Sequence, residues 1–114
     1  MIFTFIYPII FNFTVISASF YHPVAEQCWG DPTITASGAK IDLDNVPQWC
    51  ALSRDLLERW GGDYAYGDTL TLLTLQGVEK WVVHDAMNAR FKQKIDFLMP
   101  VGKRKNGRFA LILE

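Results

Sequence analysis

Residues 81–100, WVVHDAMNARFKQKIDFLMP, place two aspartates eleven positions apart, each at the edge of an apolar run. Asp85 follows Trp81-Val82-Val83-His84, and Asp96 stands between Ile95 and Phe97. Apolar runs this short, divided by a polar turn, read as two strands. On the second strand Ile95 and Phe97 share one face and Asp96 takes the other. Two roles compete for the carboxylates. Asp85 fits a strand-end turn bonding the backbone of Met87 or Asn88, and Asp96 fits a surface pair with Lys94 or Arg90. Equally, the two fit an acid site held against apolar walls.

Working outward, the chain continues as short strands broken by turns. FTVISASFY (13–21) alternates Phe13, Val15, Ser17, Ser19 and Tyr21 against Thr14, Ile16, Ala18 and Phe20. Its small residues suit the interior of a small barrel. ITASG (34–38) and QWCALS (48–53) are further candidate strands. SRDLLERWGG predicts the one helix, over 53–60: Ser53 caps it, Leu56, Leu57 and Trp60 form its apolar stripe, and Gly61-Gly62 stops it. YGDTLTLLTL (66–75) turns at Gly67-Asp68, then alternates with a slip at Leu72-Leu73 that suggests a bulge or two-sided burial. EKWVVHD, KIDFLM and, after a KNG turn, RFALIL complete the set. Many short strands, one helix and no repeat predict a compact all-β barrel.

The 114 residues fit one domain, and an apolar fraction of 50% supplies a small but real core. Net charge is near neutral at −1, but unevenly spread. The first basic residue is Lys40, whereas Arg90, Lys92, Lys94, Lys103, Arg104, Lys105 and Arg108 crowd the C-terminal quarter. No recognition helix, zinc-finger spacing or RNA-binding aromatic motif accompanies them, so no nucleic-acid partner is expected. Residues 1–12 read as an apolar leader or degenerate signal segment and residues 13–114 as the barrel domain. Pro8 and Asn12 interrupt the apolar run, so no integral membrane span is expected. Cys28 and Cys50 leave open a disulfide or two separate thiols. His22 and His84 lack ligand-like spacing with them, and His84 and Asp85, adjacent on a strand, are expected on opposite faces. Neither a metal nor another cofactor is expected.

TASG (35–38), CALSRDLL (50–57), YGDTL (66–70) and WVVHDAMNARFKQKIDFL (81–98) occur in the order and spacing of the 3D (Asp-Asp-Asp) domain. Over roughly residues 13–100 the chain resembles that family, which is similar to the barrel of membrane-bound lytic transglycosylase A and, more distantly, to rare lipoprotein A and the expansins. The resemblance implies a six-stranded double-psi β-barrel that cleaves peptidoglycan glycan strands without water. It implies a monomer, exported to the periplasm or cell envelope or encoded by a phage. Asp96 matches the family's last aspartate, the catalytic acid, and Asp85 matches the aspartate opening a glycine turn, which reads DAMN here. Ser53 stands where the first aspartate would be, and Asp55 is two residues on.

Asp96 is thus the candidate general acid/base and Asp85 its electrostatic support. Low polarity and the Asp85 charge would both raise the pKa of Asp96. One such acid could protonate the glycosidic oxygen and then take the proton of the muramyl C6 hydroxyl, closing a 1,6-anhydro ring. Thr35, Ser37, Asp55 and Trp29, the last in the polar loop EQCWGDP, are candidate substrate-binding residues, with Phe91 and Trp81 as further groove walls. The same barrel without catalysis would be a wall-glycan or protein-binding module.

Overall fold

The computed structural model describes residues 12–28 and 30–113. The leader expectation for residues 1–12 therefore falls almost wholly outside the described residues, as does Trp29. Six strands follow in chain order: β1 (Asn12–Tyr21), β2 (Trp49–Leu52), β3 (Thr69–Thr74), β4 (Gly77–Ala86), β5 (Lys94–Leu98) and β6 (Gly107–Leu113). They close into a barrel in the order β1-β5-β2-β4-β3-β6. The all-β barrel expected from the strand pattern is what the chain forms. β1 runs parallel to β5 and β2 parallel to β4; the other neighbours are antiparallel. Exchanging β1 with β4, β2 with β5 and β3 with β6 leaves this ring of pairings unchanged. The chain is thus two interleaved three-stranded halves.

Period-two alternation sorts the side chains. Ile16, Cys50, Leu52, Leu72, Val83, Ile95 and Phe97 are all fully buried and point into the barrel. Trp81 and Phe109 pack on Phe97 with ring centroids 4.5 and 5.6 Å away. Trp81 is a core residue, not a groove wall. At this end Lys105 reaches over all three rings, 5.1–5.9 Å from their centroids, and pairs with Glu79 at 3.0 Å. Its methylene stem and charged tip cap the apolar interior while the tip keeps a counter-charge. A second cluster (Tyr21, Ile41, Ala51, Met87 and Leu98, with Trp49 and Phe91 against it) lies on the opposite face of the β1, β5, β2 and β4 strands. The long segment between β1 and β2 covers this outer wall and supplies Ile41 to it.

Three local expectations are corrected. ITASG is not a strand: Ile34 and Lys40 make one isolated bridge around a tight loop. The slip at Leu72-Leu73 is not a bulge, since β3 pairs with β4 in unbroken register and Leu73 is simply exposed. The helix over 53–60 is instead two single 3-10 turns, Arg54–Leu56 and Glu58–Trp60. Ser53 does not cap it. Its hydroxyl accepts the Lys94 N–H at 2.9 Å and its own N–H donates to the Lys94 carbonyl, so it extends the β2–β5 ladder. Leu57 is extended (φ −94°, ψ 137°), bridges Tyr64 and is buried in the core. Anchoring one leucine inside the barrel outweighs the weak helical preference of an eight-residue segment.

Gly61 and Gly62 end this segment for different reasons. Gly61 is left-handed at φ 96° with open space around it, whereas a Cβ on Gly62 would strike the Leu56 carbonyl backbone. Gly62→Ala should therefore destabilise by about 1–3 kcal/mol through overpacking. Gly61→Ala should cost only about 1 kcal/mol, as for a glycine in the left-handed region. Urea unfolding of both variants tests this ranking; equal midpoints would contradict it.

Candidate active site

The outer wall brings the two aspartates together. Ala51 on β2 is the register partner of Asp96 on β5 and of Asp85 on β4, and Ser19 on β1 is the other partner of Asp96. One row thus reads Ser19–Asp96–Ala51–Asp85 across four strands. The carboxylate-bearing residues are two strand spacings apart, about 10 Å between backbones. Ala51 contributes only a methyl group between them.

Strict alternation would not put Asp85 there. Val83 points inward, so two residues later Asp85 should point inward too. The β2–β4 register shifts between Cys50 and Ala51, whose partners are Val83 and Asp85, leaving His84 unpaired as a bulge. The extra residue returns Asp85 to the outer face. His84 lies outside as well, its ring tilted against that of Trp49 with centroids 4.3 Å apart and its Nδ1 bonded to Ser37 Oγ at 2.8 Å. The expectation that His84 and Asp85 take opposite faces is therefore corrected: the bulge turns both outward. Among the described residues no three His, Cys, Asp or Glu side chains gather as a metal site would require.

Both carboxylates lie on a cleft of about 860 Å³, within the size range of small-ligand sites. Asp85 Oδ1 accepts the N–H groups of Ala36 and Ala86, both at 3.2 Å, and Oδ2 accepts the Tyr21 hydroxyl at 3.4 Å. Asp96 Oδ1 accepts the Ser19 hydroxyl at 2.7 Å. Burial raises the pKa of both above the ordinary carboxylate value. For Asp85 the three donors and His84 oppose this. For Asp96 the Asp85 charge adds to it, while Ser19 and Lys94 oppose it. Burial and the two carboxylate charges also hold the Tyr21 phenol far above its usual range, so Tyr21 is a fixed donor.

The remaining expected residues divide. Thr35 is buried on the cleft wall, its hydroxyl 2.9 Å from that of Ser37, and Ser37 N–H donates to the His84 carbonyl. Together they fasten the TASG loop to β4, which aims the Ala36 N–H at Asp85. Asp55 does not join the cleft. Its Oδ2 accepts the backbone N–H of Gln93, which is left-handed at φ 47°, so Asp55 secures the turn before β5. Phe91 does line the cleft. Cys28 and Cys50 are free thiols, Cys50 inside the barrel and Cys28 outside it.

Sequence reasoning missed Ser19 and Tyr21 as carboxylate donors, and it missed a rim. Arg54, Arg59 and Trp60 border the same cleft, with the two guanidinium carbons 4.8 and 5.1 Å from the Trp60 ring centroid. Trp60 is 41% exposed, large for an aromatic residue. The RDLLERW spacing was a visible signal, but as a helix it would have turned Trp60 toward the core. Comparison of the chain with protein-family models, curated proteins and solved structures finds no match.

The sign of the Asp96 shift sets a pH dependence. Its folded pKa is raised, so the folded state holds the proton more tightly than the unfolded chain. That stabilisation is present below the ordinary value of 3.8 and is lost as pH rises through the raised value. The stability of wild type relative to Asp96→Asn should therefore fall as pH increases across this window. Urea midpoints of the two proteins across the acid range measure it; a difference that stays flat or rises would refute the burial argument.

Proposed function

We propose that the protein is a lytic transglycosylase-like enzyme that cuts peptidoglycan glycan strands, with Asp96 as general acid/base. The single observation that carries the reading is the shared row: two half-buried carboxylates flank Ala51 on one cleft, and both pKa values are raised. A carboxyl group kept protonated nearer to neutral pH donates its proton to a glycosidic oxygen. Ser19 engages only Oδ1 of Asp96, which leaves Oδ2 for that proton. After the bond breaks, the same carboxylate takes the proton of the muramyl C6 hydroxyl. The hydroxyl oxygen closes the 1,6-anhydro ring, so no activated water is needed. Asp85, fixed by its hydrogen bonds, supplies negative charge beside the oxocarbenium-like centre. The order of motifs resembling the 3D domain and the interleaved halves, as a double-psi barrel would have, support the same reading. On this reading the protein acts as a monomer in the cell envelope or in a phage lysis apparatus.

One observation favours a second reading, a non-catalytic wall-glycan binding module. Ser53 stands at the family's first acidic position, fully buried, with its hydroxyl committed to the Lys94 N–H. No carboxylate takes its place, since Asp55 is committed elsewhere.

Incubation with purified peptidoglycan, followed by mass spectrometry of the products, separates the two. Anhydro-muropeptides are the expected products. Asp96→Asn should lower their release by at least ~10²-fold, the usual scale of an acid/base contribution. Asp85→Asn should cost less, and both variants should still bind wall glycan. Wild-type cleavage should also weaken as pH rises through the raised pKa of Asp96. Full activity in Asp96→Asn would remove the acid assignment, and binding without cleavage by wild type would leave the binding module.

A further inference from the structure

The rim of the cleft carries charge that the mechanism above does not use. Arg54 and Arg59 approach one indole ring, and all three residues border the cleft that holds Asp85 and Asp96. Among the described residues the ion pair is Lys105–Glu79, so neither arginine is paired with either cleft aspartate. Arg54 is oriented by donating from Nε to the Met87 carbonyl at 3.2 Å. Both cations lie within 5.1 Å of the centroid of one indole ring, and an anion bound beside that ring is attracted by both. Guanidinium groups match the planar, two-oxygen geometry of a carboxylate.

The cleft therefore has an acidic wall and a basic rim. A ligand that fills it has a neutral part at the carboxylates and an anionic part at the arginines. An anion fixed directly on the reacting ring would be repelled by the Asp85 carboxylate, so it must sit on an arm. We propose that Arg54, Arg59 and Trp60 bind a carboxylate of the peptide stem borne by a muramyl residue, making peptide-substituted glycan the preferred substrate class. The assignment rests on the glycan reading of the cleft. Trp60 packs on the apolar part of the arm, and the guanidinium groups take the carboxylate beyond it. A lactyl carboxylate, exposed when the stem is removed, shares the chemistry but lies closer to the ring.

The test measures affinities of the full chain for three soluble ligands. These are peptide-bearing glycan strands, strands stripped of peptide by an amidase, and neutral N-acetylglucosamine oligomers. Peptide-bearing strands should bind about tenfold more tightly than stripped strands, the scale of one charge-assisted hydrogen bond. Arg59 is exposed, so Arg59→Gln should fold normally. It should erase that preference and leave neutral oligomers unaffected. Arg59→Lys should restore part of the preference by keeping the charge. An equal loss on stripped and peptide-bearing strands would assign the contact to the lactyl carboxylate and overturn the stem proposal. Binding of all three ligands with no role for Arg59 would overturn it while leaving glycan recognition intact. No binding to any of the three would instead overturn the proposed function itself.

Discussion

The parallel pairing of β1 with β5 is the constraint on which the rest of the molecule depends. It joins Ser17–Tyr21 to Lys94–Leu98, segments far apart in the sequence, and without it the sheet has open edges. β1 is held on its other side by β6, so both edges of the first strand are satisfied only by the last quarter of the chain. Contacts of such sequence separation form late and slowly, because the intervening chain must be ordered first. The same seam carries the Ser19–Asp96 hydrogen bond. Closure of the barrel and orientation of the acid are therefore one event.

How the two halves interleave explains the asymmetry of the cleft. The pseudo-twofold relation matches β1 with β4 and β2 with β5, so Ser19 corresponds to Asp85 and Ala51 to Asp96. The row could have carried an acid on both central strands, facing each other directly across one strand spacing. Ala51 prevents this. Instead the acids sit in unequal company: Asp85 takes three donors and Asp96 takes one. Two identical groups thereby acquire different surroundings, which is how a fold assigns different roles to like residues.

Much of this was legible in the residues, and what was not has physical causes. The barrel follows from strand periodicity, and the inward Ile95 and Phe97 with outward Asp96 follow from a period of two. The outward placement of Asp85 does not, because a bulge is a property of two strands and only one is visible in a sequence. The segment 53–60 misled for a related reason. Its local pattern is helical, but Ser53 belongs to a ladder with β5 and Leu57 to the core, and both are distant decisions. That misreading also hid the rim, since a helix would have buried Trp60 beside Leu56 and Leu57. Asp55 was credible while its neighbourhood was unknown; its actual task is to steady Gln93 in an unfavourable backbone conformation.

The bulge at His84 also governs which changes of the gene this strand can accept. A replacement of the histidine removes a ring and a hydrogen bond but keeps the residue count, so the downstream side chains stay on their sides of the sheet. Loss of the codon would keep them there too. It would restore simple alternation, with Asp85 directly after the inward Val83 and so still on the outer face opposite Ala51. Straightening the strand with every residue kept would instead turn Asp85 inward, where a buried, unpaired carboxylate carries a large desolvation cost. The extra residue is therefore dispensable for facing Asp85 to the cleft, and what it adds is a ring against Trp49 and a hydrogen bond to Ser37.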